Sequence, residues 1–304
     1  MSTPEIHWYP GHIARAQRQL QEQLKKVDVV LEVRDARIPL ATHHPFVETW
    51  IGNKMHLLIF NRVDMITPEV RLAWTQWFKS QGQTIYFSDA REGNGVAAIM
   101  KAAQVAGIAI NQRRKERGML PRAVRAVVIG YPNVGKSALI NRLLKKRIVE
   151  SARKPGVTRQ LRWVRISEEL ELLDAPGIIP GRLNNQAAAI KLAICDDIGE
   201  ASYDRQRVTA AMVEIIKDLG YGQNLISKYD IDPLTMTGED YIRAIADKQY
   251  LGDMERSAHN LLNNFRTGGL GAINLDVPPV VGQAPEVIAE PKLVADLVAS
   301  FPDF

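Results

Sequence analysis

The sequence predicts an α/β fold, a mostly parallel sheet with helices on both faces, followed by a small α-helical domain. Three observations carry this expectation. Continuous apolar runs alternate with helical patterns as far as about residue 177, the texture of parallel strands buried on both faces. Residues 130–137 read GYPNVGKS, a full G-x-x-x-x-G-K-[ST] match set between the apolar run RAVVI and the helical ALINRLL. Past Gly181 the alternation stops and helical spacing takes over.

In order, VDVVLEV (27–33) is a buried strand closed by Arg34 and Asp35, and HPFVETWI (44–51) is helical. MHLLIF (55–60) is the next strand and runs into NRVD; a helix at 69–80 and a strand TIYFS (84–88) follow. A long helix is expected from about Val96 to Arg117, then a basic linker, then strand RAVVIG (125–130). The glycine loop leads into a helix at 136–146, and LRWVRI (161–166) and LELLD (170–174) are strands. In the second half, RLNNQAAAIKLAICDDI, SYDRQRVTAAMVEIIKDLG and TGEDYIRAIADKQYL read as helices, with Thr237 and Asp240 placed as a capping box. Val208, Met212, Ile215, Ile216 and Leu219 share one helical face and are expected to be core. Strand-like alternation returns only at AINLD (272–276). The expected division is 1–180, a nucleotide domain with a basic N-terminal segment; 181–276, a helical docking domain; and 277–304, a mobile tail rich in Pro and Val.

The chain has 304 residues, 46% hydrophobic and 24% charged, which leaves room for two domains. No apolar run approaches the roughly 18 residues of a membrane helix, and MSTPEIHWYPGH lacks a signal core. One cysteine, Cys195, excludes a disulfide framework. A cytoplasmic protein without membrane or DNA partners is expected. Net charge is +5 with a pI near 9.2. The excess is concentrated in QRRKERGMLPRAVR (112–125) and in Lys145, Lys146, Arg147, Arg153, Lys154, Arg159, Arg162 and Arg165. Two readings stand side by side: a solvated charged surface, or an electrostatic footprint for phosphate-rich RNA.

The glycine loop is the chemistry-bearing motif. Gly130 and Gly135 let the backbone aim N–H groups at phosphate oxygens, and the helix that follows adds its dipole. Asn133, Val134, Gly135, Lys136, Ser137 and Ala138 are the expected phosphate contacts. Lys136 lies along the outer phosphates and Ser137 offers its hydroxyl to Mg²⁺. DAPG (174–177) ends a strand: Asp174 suits the magnesium site through water, and Gly177 a γ-phosphate N–H contact. Between the motifs, Thr158 of KPGVTRQ is the candidate to close over Mg²⁺ from a switch loop.

NRVD (61–64) resembles the NKxD motif by which GTPases read guanine. Asp64 can accept from both the ring N–H and the amino group, a pattern adenine lacks. Asn61 would tie the strand end to the base and the glycine loop, and Arg62 stands where lysine is usual, with Val63 between it and Asp64. SDAREGNG (88–95) resembles the loop whose backbone meets the base oxygen, with Asp89 in a serine position and the Ala90 N–H as the contact. These last motifs of a GTPase come first here, so the order is that of a circularly permuted P-loop GTPase.

With DARIP (35–39) and WYPGHIARAQRQ (8–19) added, the chain resembles ribosome biogenesis GTPase A, the YlqF-type circularly permuted family, from about Trp8 to Asp276. The resemblance implies a GTP-binding and GTP-hydrolysing factor for late assembly of the large ribosomal subunit, its C-terminal helices docking on ribosomal RNA. It implies GTP and GDP as ligands, Mg²⁺ as cofactor, and a potassium ion held with help from Asn133 that stands in for an arginine finger. RTGGLGAINLD departs from the relatives, with Gly269 and Ala272 at usually basic positions. Ile178 follows the DAPG glycine where many GTPases carry a water-orienting glutamine. Unaided hydrolysis is therefore expected to be slow, on the order of 10⁻⁴ to 10⁻² s⁻¹, and stimulated by the ribosome. His12, with Arg15 and Arg18 along the same stretch, has two readings: a water-orienting imidazole, or a helix-start histidine contacting backbone or RNA. Asn133, Lys136 and Thr158 complete the catalytic candidates. The alternatives are a nucleotide-gated RNA scaffold with little hydrolysis, or a GTPase acting on another structured RNA.

Overall fold

Seven consecutive residues, VVLEVRD, form the central strand β1 (Val29–Asp35), and all seven are buried. β-branched residues flanked by neighbours on both sides give such a strand its stability: each fully buried Val or Leu contributes about 1.5–3 kcal/mol. The structure, a computed structural model, describes residues 20, 22–144, 162–168, 170–175 and 185–279. By internal contacts these form two units, one of residues 20–63 and 74–175, the other of 64–73 and 185–279.

The first unit holds a six-stranded sheet. Its strands are β1, β2 (Met55–Asn61), β3 (Ile85–Ser88), β4 (Val124–Ile129), β5 (Arg162–Arg165) and β6 (Leu170–Asp174), in spatial order β3-β2-β1-β4-β6-β5. All neighbours are parallel except β5, which runs antiparallel to β6. β4 enters beside β1, so strands that precede it in the chain lie on one side and strands that follow it on the other. That is the order of a doubly wound sheet; the permutation lies in the motifs, because NRVD ends β2 while the glycine loop follows β4.

Helix α1 (Val47–Ile51) is shorter than the sequence predicts, beginning at Val47 rather than His44. Val47, Trp50 and Ile51 join Leu20, Leu24, Val30, Val127, Ile129 and Leu173 in one apolar cluster. α2 (Pro68–Ser80) brings Trp74 and Phe78 edge-on to Phe60 of β2, with ring centroids 6.0 and 5.4 Å away. α3 (Val96–Glu116) buries Val96, Ile99, Ala103, Ala106 and Gly107 at helical spacing. Gly107 lets α3 pack closely on β4: a Cβ there would lie 2.7 Å from Val124 Cγ2, which would have to shift. α4 (Lys136–Leu143) follows the glycine loop with Leu144 as its C-cap; residues 145 and 146, to which the helix is expected to run, lie outside the described residues.

The second unit is built from α5 (Gln186–Ile194), α6 (Arg205–Asp218), α7 (Gly222–Tyr229), α8 (Gly238–Gln249) and α9 (Met254–Thr267). Asn185, Asp204, Thr237 and Asp253 each accept a backbone N–H three residues on, so four of these helices start on a side-chain cap, each cap contributing about 1 kcal/mol. Val208, Met212, Ile215 and Ile216 are core as their spacing predicts, whereas Leu219 is half-buried at the end of α6. Gly238 lets α8 approach α6, since a Cβ there would lie 2.3 Å from the Ala210 carbonyl oxygen. Arg266 donates to the carbonyl oxygens of Ala193 and Ile194 at 2.8 and 3.0 Å, capping the end of α5. The strand expected at 272–276 is not formed: that segment has no ladder partner among the described residues, and a lone strand cannot satisfy its backbone. Asn274 there instead accepts from the Tyr221 hydroxyl and donates to the Asp276 carbonyl at 2.9 Å.

Candidate functional site

Five parallel strands end on the same edge of the sheet, where ligands of open α/β sheets bind. Each of those ends carries a motif residue: Asp35 on β1, Asn61 on β2, Ser88 on β3, Gly130 just past β4 and Asp174 on β6.

The glycine loop is shaped by two close approaches. Gly130 (φ 148) has Val33's carbonyl oxygen 2.2 Å from where a Cβ would sit, and Gly135 (φ 98) has the Asn61 amide nitrogen at 2.1 Å. Only glycine fits either place. Asn133 adopts φ 56, a left-handed position that asparagine tolerates better than most residues. Lys136 opens α4 and is buried, its ammonium donating to the Gly130 and Tyr131 carbonyls at 3.1 and 2.6 Å. Val134 is buried; Ser137 and Ala138 lie half-buried in the first turn of α4. A loop no side chain can fill, a helix start and a lysine amount to a cradle whose chemistry fits phosphate.

Asn61 joins three segments. Its amide donates to the Val134 carbonyl at 2.8 Å, and its Oδ1 accepts from Ser88 Oγ at 3.1 Å and from the Ala90 N–H at 3.0 Å. The Ala90 N–H was expected to meet a base oxygen, and here it is already donating to Asn61. Asp89 caps its own loop, accepting from the Arg91 and Glu92 N–H groups at 2.9 and 3.1 Å. Arg142 of α4 donates to the Ala90 carbonyl at 3.1 Å, tying that loop to the helix after the phosphate cradle.

Arg62, where lysine is usual, sits in left-handed backbone. It has φ 63, and its guanidinium donates to the Asn133 carbonyl at 2.7 Å while lying 3.5 Å from Asp35. Val63, Asp64 and Met65 form a single 3-10 turn, in which Val63 is half-buried and Asp64 exposed. Asp174 ends β6 with its backbone in register with Val128. His12, Thr158 and Gly177, like Ile178, lie outside the described residues. Sequence reasoning missed Asp35, Arg37, Ser88 and Arg142 as members of this network. The two charges that close the apolar run of β1 were the available signal.

Next along β1 is a buried polar knot. Glu32 accepts from Arg34 Nε at 2.6 Å and from His56 Nε2 at 2.9 Å, while His56 Nδ1 accepts from Gln83 at 3.1 Å. Arg34 also donates to His43 Nδ1 at 2.5 Å. A guanidinium only donates, so that nitrogen is an acceptor and its 3.4 Å approach to Glu32 is not a hydrogen bond. Burial pushes the Glu32 carboxyl up, but the Arg34 charge and the hydrogen bonds to it hold it well below the usual carboxylate range.

Comparison with known proteins places this arrangement. Residues 125–229 match the family model described as 50S ribosome-binding GTPase. Ribosome biogenesis GTPase A from Bacillus cereus is 32% identical over 287 residues, covering 92% of this chain and 97% of that protein. The Priestia megaterium protein of the same name is 33% identical, covering 90% and 97%. The solved structure of GNP-bound YlqF from T. maritima shares the fold, with a TM-score of 0.63 at 23% identity, over 87% of this chain and 98% of that one. The chain therefore belongs to the ribosome biogenesis GTPase A family, and it is a GTPase with the circularly permuted fold.

Proposed function

We propose that this GTPase acts in late assembly of the large ribosomal subunit, hydrolysing GTP slowly alone and faster on the subunit. The observation that carries the nucleotide part is the double tie from β2 to the phosphate cradle. Asn61 and Arg62 hold the carbonyls of Val134 and Asn133, so the first two residues of NRVD are tied directly to the phosphate loop. In this reading Lys136 binds the outer phosphates, Ser137 with Thr158 and Asp174 holds Mg²⁺, and Asp64 selects guanine. Gly177 meets the γ-phosphate. Asn133 helps to hold a potassium ion, and His12 orients water once the subunit fixes the N-terminal segment. Mg²⁺ supplies charge neutralisation at the phosphates.

The assembly role rests on the relatives, which carry ribosome biogenesis in their names. Electrostatics favours the basic linker as the RNA contact. Arg113, Lys115 and Arg117 are exposed, while Arg122 is held by Asp28 at 2.7 Å and Arg125 lies 3.4 Å from Glu171. Residues 185–279 carry nine Lys and Arg against fourteen Asp and Glu. Docking by the helical unit would thus depend on shape and local contacts, with the salt-sensitive part of binding left to the basic segment at 113–117. The test is co-sedimentation with large subunits in GTP-analogue and GDP states, together with single-turnover hydrolysis. Nucleotide-dependent binding with faster turnover is expected; binding without faster turnover would favour a nucleotide-gated scaffold, which Ile178 already suggests.

A further inference from the structure

Asp35 closes β1 with its side chain fully buried, and two arginines meet on it. Arg37 takes both oxygens: its backbone N–H and Nε donate to Oδ1 at 2.9 and 3.0 Å, and Nη2 donates to Oδ2 at 2.7 Å. The same Oδ2 lies 3.5 Å from Nη1 of Arg62. Arg62 uses its other terminal nitrogen, Nη2, to hold the Asn133 carbonyl at 2.7 Å. Asp35, Arg62 and Asn133 thus link the ends of three adjacent strands, β1, β2 and β4.

Both ends of the Arg62–Asn133 bond are non-glycine residues in left-handed backbone, at φ 63 and φ 56. Such positions persist only where surrounding contacts over-determine them. A carbonyl acceptor alone does not select one arginine rotamer, and fixing a free arginine costs up to about 2 kcal/mol of side-chain entropy. A fixed charge on the other side of the guanidinium does select one. Arg37 already immobilises the Asp35 carboxylate, which makes it a rigid reference for Arg62. We propose that Asp35 is a positioning residue for the nucleotide site: it orients Arg62, and through Arg62 sets the Asn133 carbonyl and the mouth of the phosphate loop. This rests on residues 130–137 being the nucleotide site. Burial pushes the Asp35 carboxyl up, but the Arg37 and Arg62 charges and the Arg37 hydrogen bonds outweigh it and keep it low. The charge that orients Arg62 is therefore present at neutral pH.

A double-mutant cycle on the full chain tests the relay, reading GDP affinity and thermal midpoint for Asp35→Asn, Arg62→Ala and the pair. Each single change is expected to weaken GDP about tenfold, and the pair no more than Arg62→Ala alone, because contacting residues do not add. Thr42→Val is the control. Thr42 Oγ1 accepts from the Asp35 N–H at 3.2 Å and donates to the Ile38 carbonyl at 2.9 Å, supporting the same loop without reaching Arg62. It should lower the midpoint and leave GDP affinity within about twofold. Losses that multiply in the pair, or an Asp35→Asn variant with parental affinity, overturn the proposal. Should Asp35→Asn not fold, Asp35→Glu enters the same cycle under the same criterion. Lys136→Ala separates the two readings: GDP binding indifferent to it strikes the nucleotide site itself, whereas an additive cycle beside a defective Lys136→Ala strikes only Asp35.

Discussion

Asn61 donates its amide to the carbonyl oxygen of Val134 at 2.8 Å, joining residues 73 positions apart in the chain. The other end of the same amide holds Ser88 and Ala90. Asn61→Ala strands these buried partners together. Chemical denaturation is expected to show a loss of roughly 2–5 kcal/mol, the cost of two or three orphaned polar groups, with GTP affinity falling in parallel. A loss within experimental scatter of zero would mean that water replaces the amide.

Lys136→Ala is expected to weaken GTP far more than GMP if the ammonium serves the outer phosphates as proposed. Its bonds to the Gly130 and Tyr131 carbonyls also brace the loop, so a small drop in thermal midpoint should accompany it. Equal weakening of both nucleotides would assign the lysine to loop bracing alone.

Asp64→Asn should shift preference from GTP toward XTP, since an amide cannot accept from both guanine donors. Asp64 is exposed in its 3-10 turn, so the exchange should leave the unfolding free energy within about 0.5 kcal/mol of the parent. Competition binding decides it; undiminished preference for GTP would remove Asp64 from base recognition.

The Glu32 carboxyl, held low in the folded state, stabilises the fold above its ordinary value of 4.5 and loses that contribution as pH falls through the folded value. Glu32→Gln leaves Arg34 buried without its carboxylate, at a cost of about 3–5 kcal/mol near pH 7. The gap between parent and variant should stay flat from pH 7 to about 5.5 and narrow below 4.5. A gap that does not depend on pH would trace the loss to packing rather than charge.

Charge reversal at Arg113, Lys115 and Arg117 should weaken subunit binding, flatten its salt dependence and leave GDP affinity unchanged. All three are exposed at the end of α3 or just beyond it. An unchanged salt slope in co-sedimentation would make this segment an ordinary solvated surface.

The phosphate cradle was legible because its pattern fixes backbone geometry directly: Gly130 and Gly135 each sit where a Cβ has no room. The permutation was legible from the motif order, since each motif belongs to a strand end. What surrounds the cradle was not. Asp35 and Arg37 look like a polar turn after an apolar strand, and nothing local shows that Arg62 shares the carboxylate. Ala90 offers an N–H in any extended loop; that Asn61 takes it depends on how β2 and β3 pair. Arg122 and Arg125 counted toward a basic run, yet their acids lie on strands or turns far away in sequence. Helix α9 was readable in principle, from the Asp253 cap, the spacing of Ala258, Leu261, Leu262 and Phe265, and Gly268 beyond its end.

The strand order has a consequence for the newborn chain. Synthesis delivers β1, β2 and β3 first, and they are consecutive neighbours in space as well as in sequence. The half that carries NRVD can thus assemble while the half that carries the glycine loop is still being made. Until β4 emerges, one flank of β1 stays unpaired, and VVLEVRD offers a sticky edge to any passing strand. In an unpermuted chain the phosphate strand would be the first to wait. Here it arrives to partners already assembled, and its docking covers the exposed edge and completes the nucleotide site in the same event.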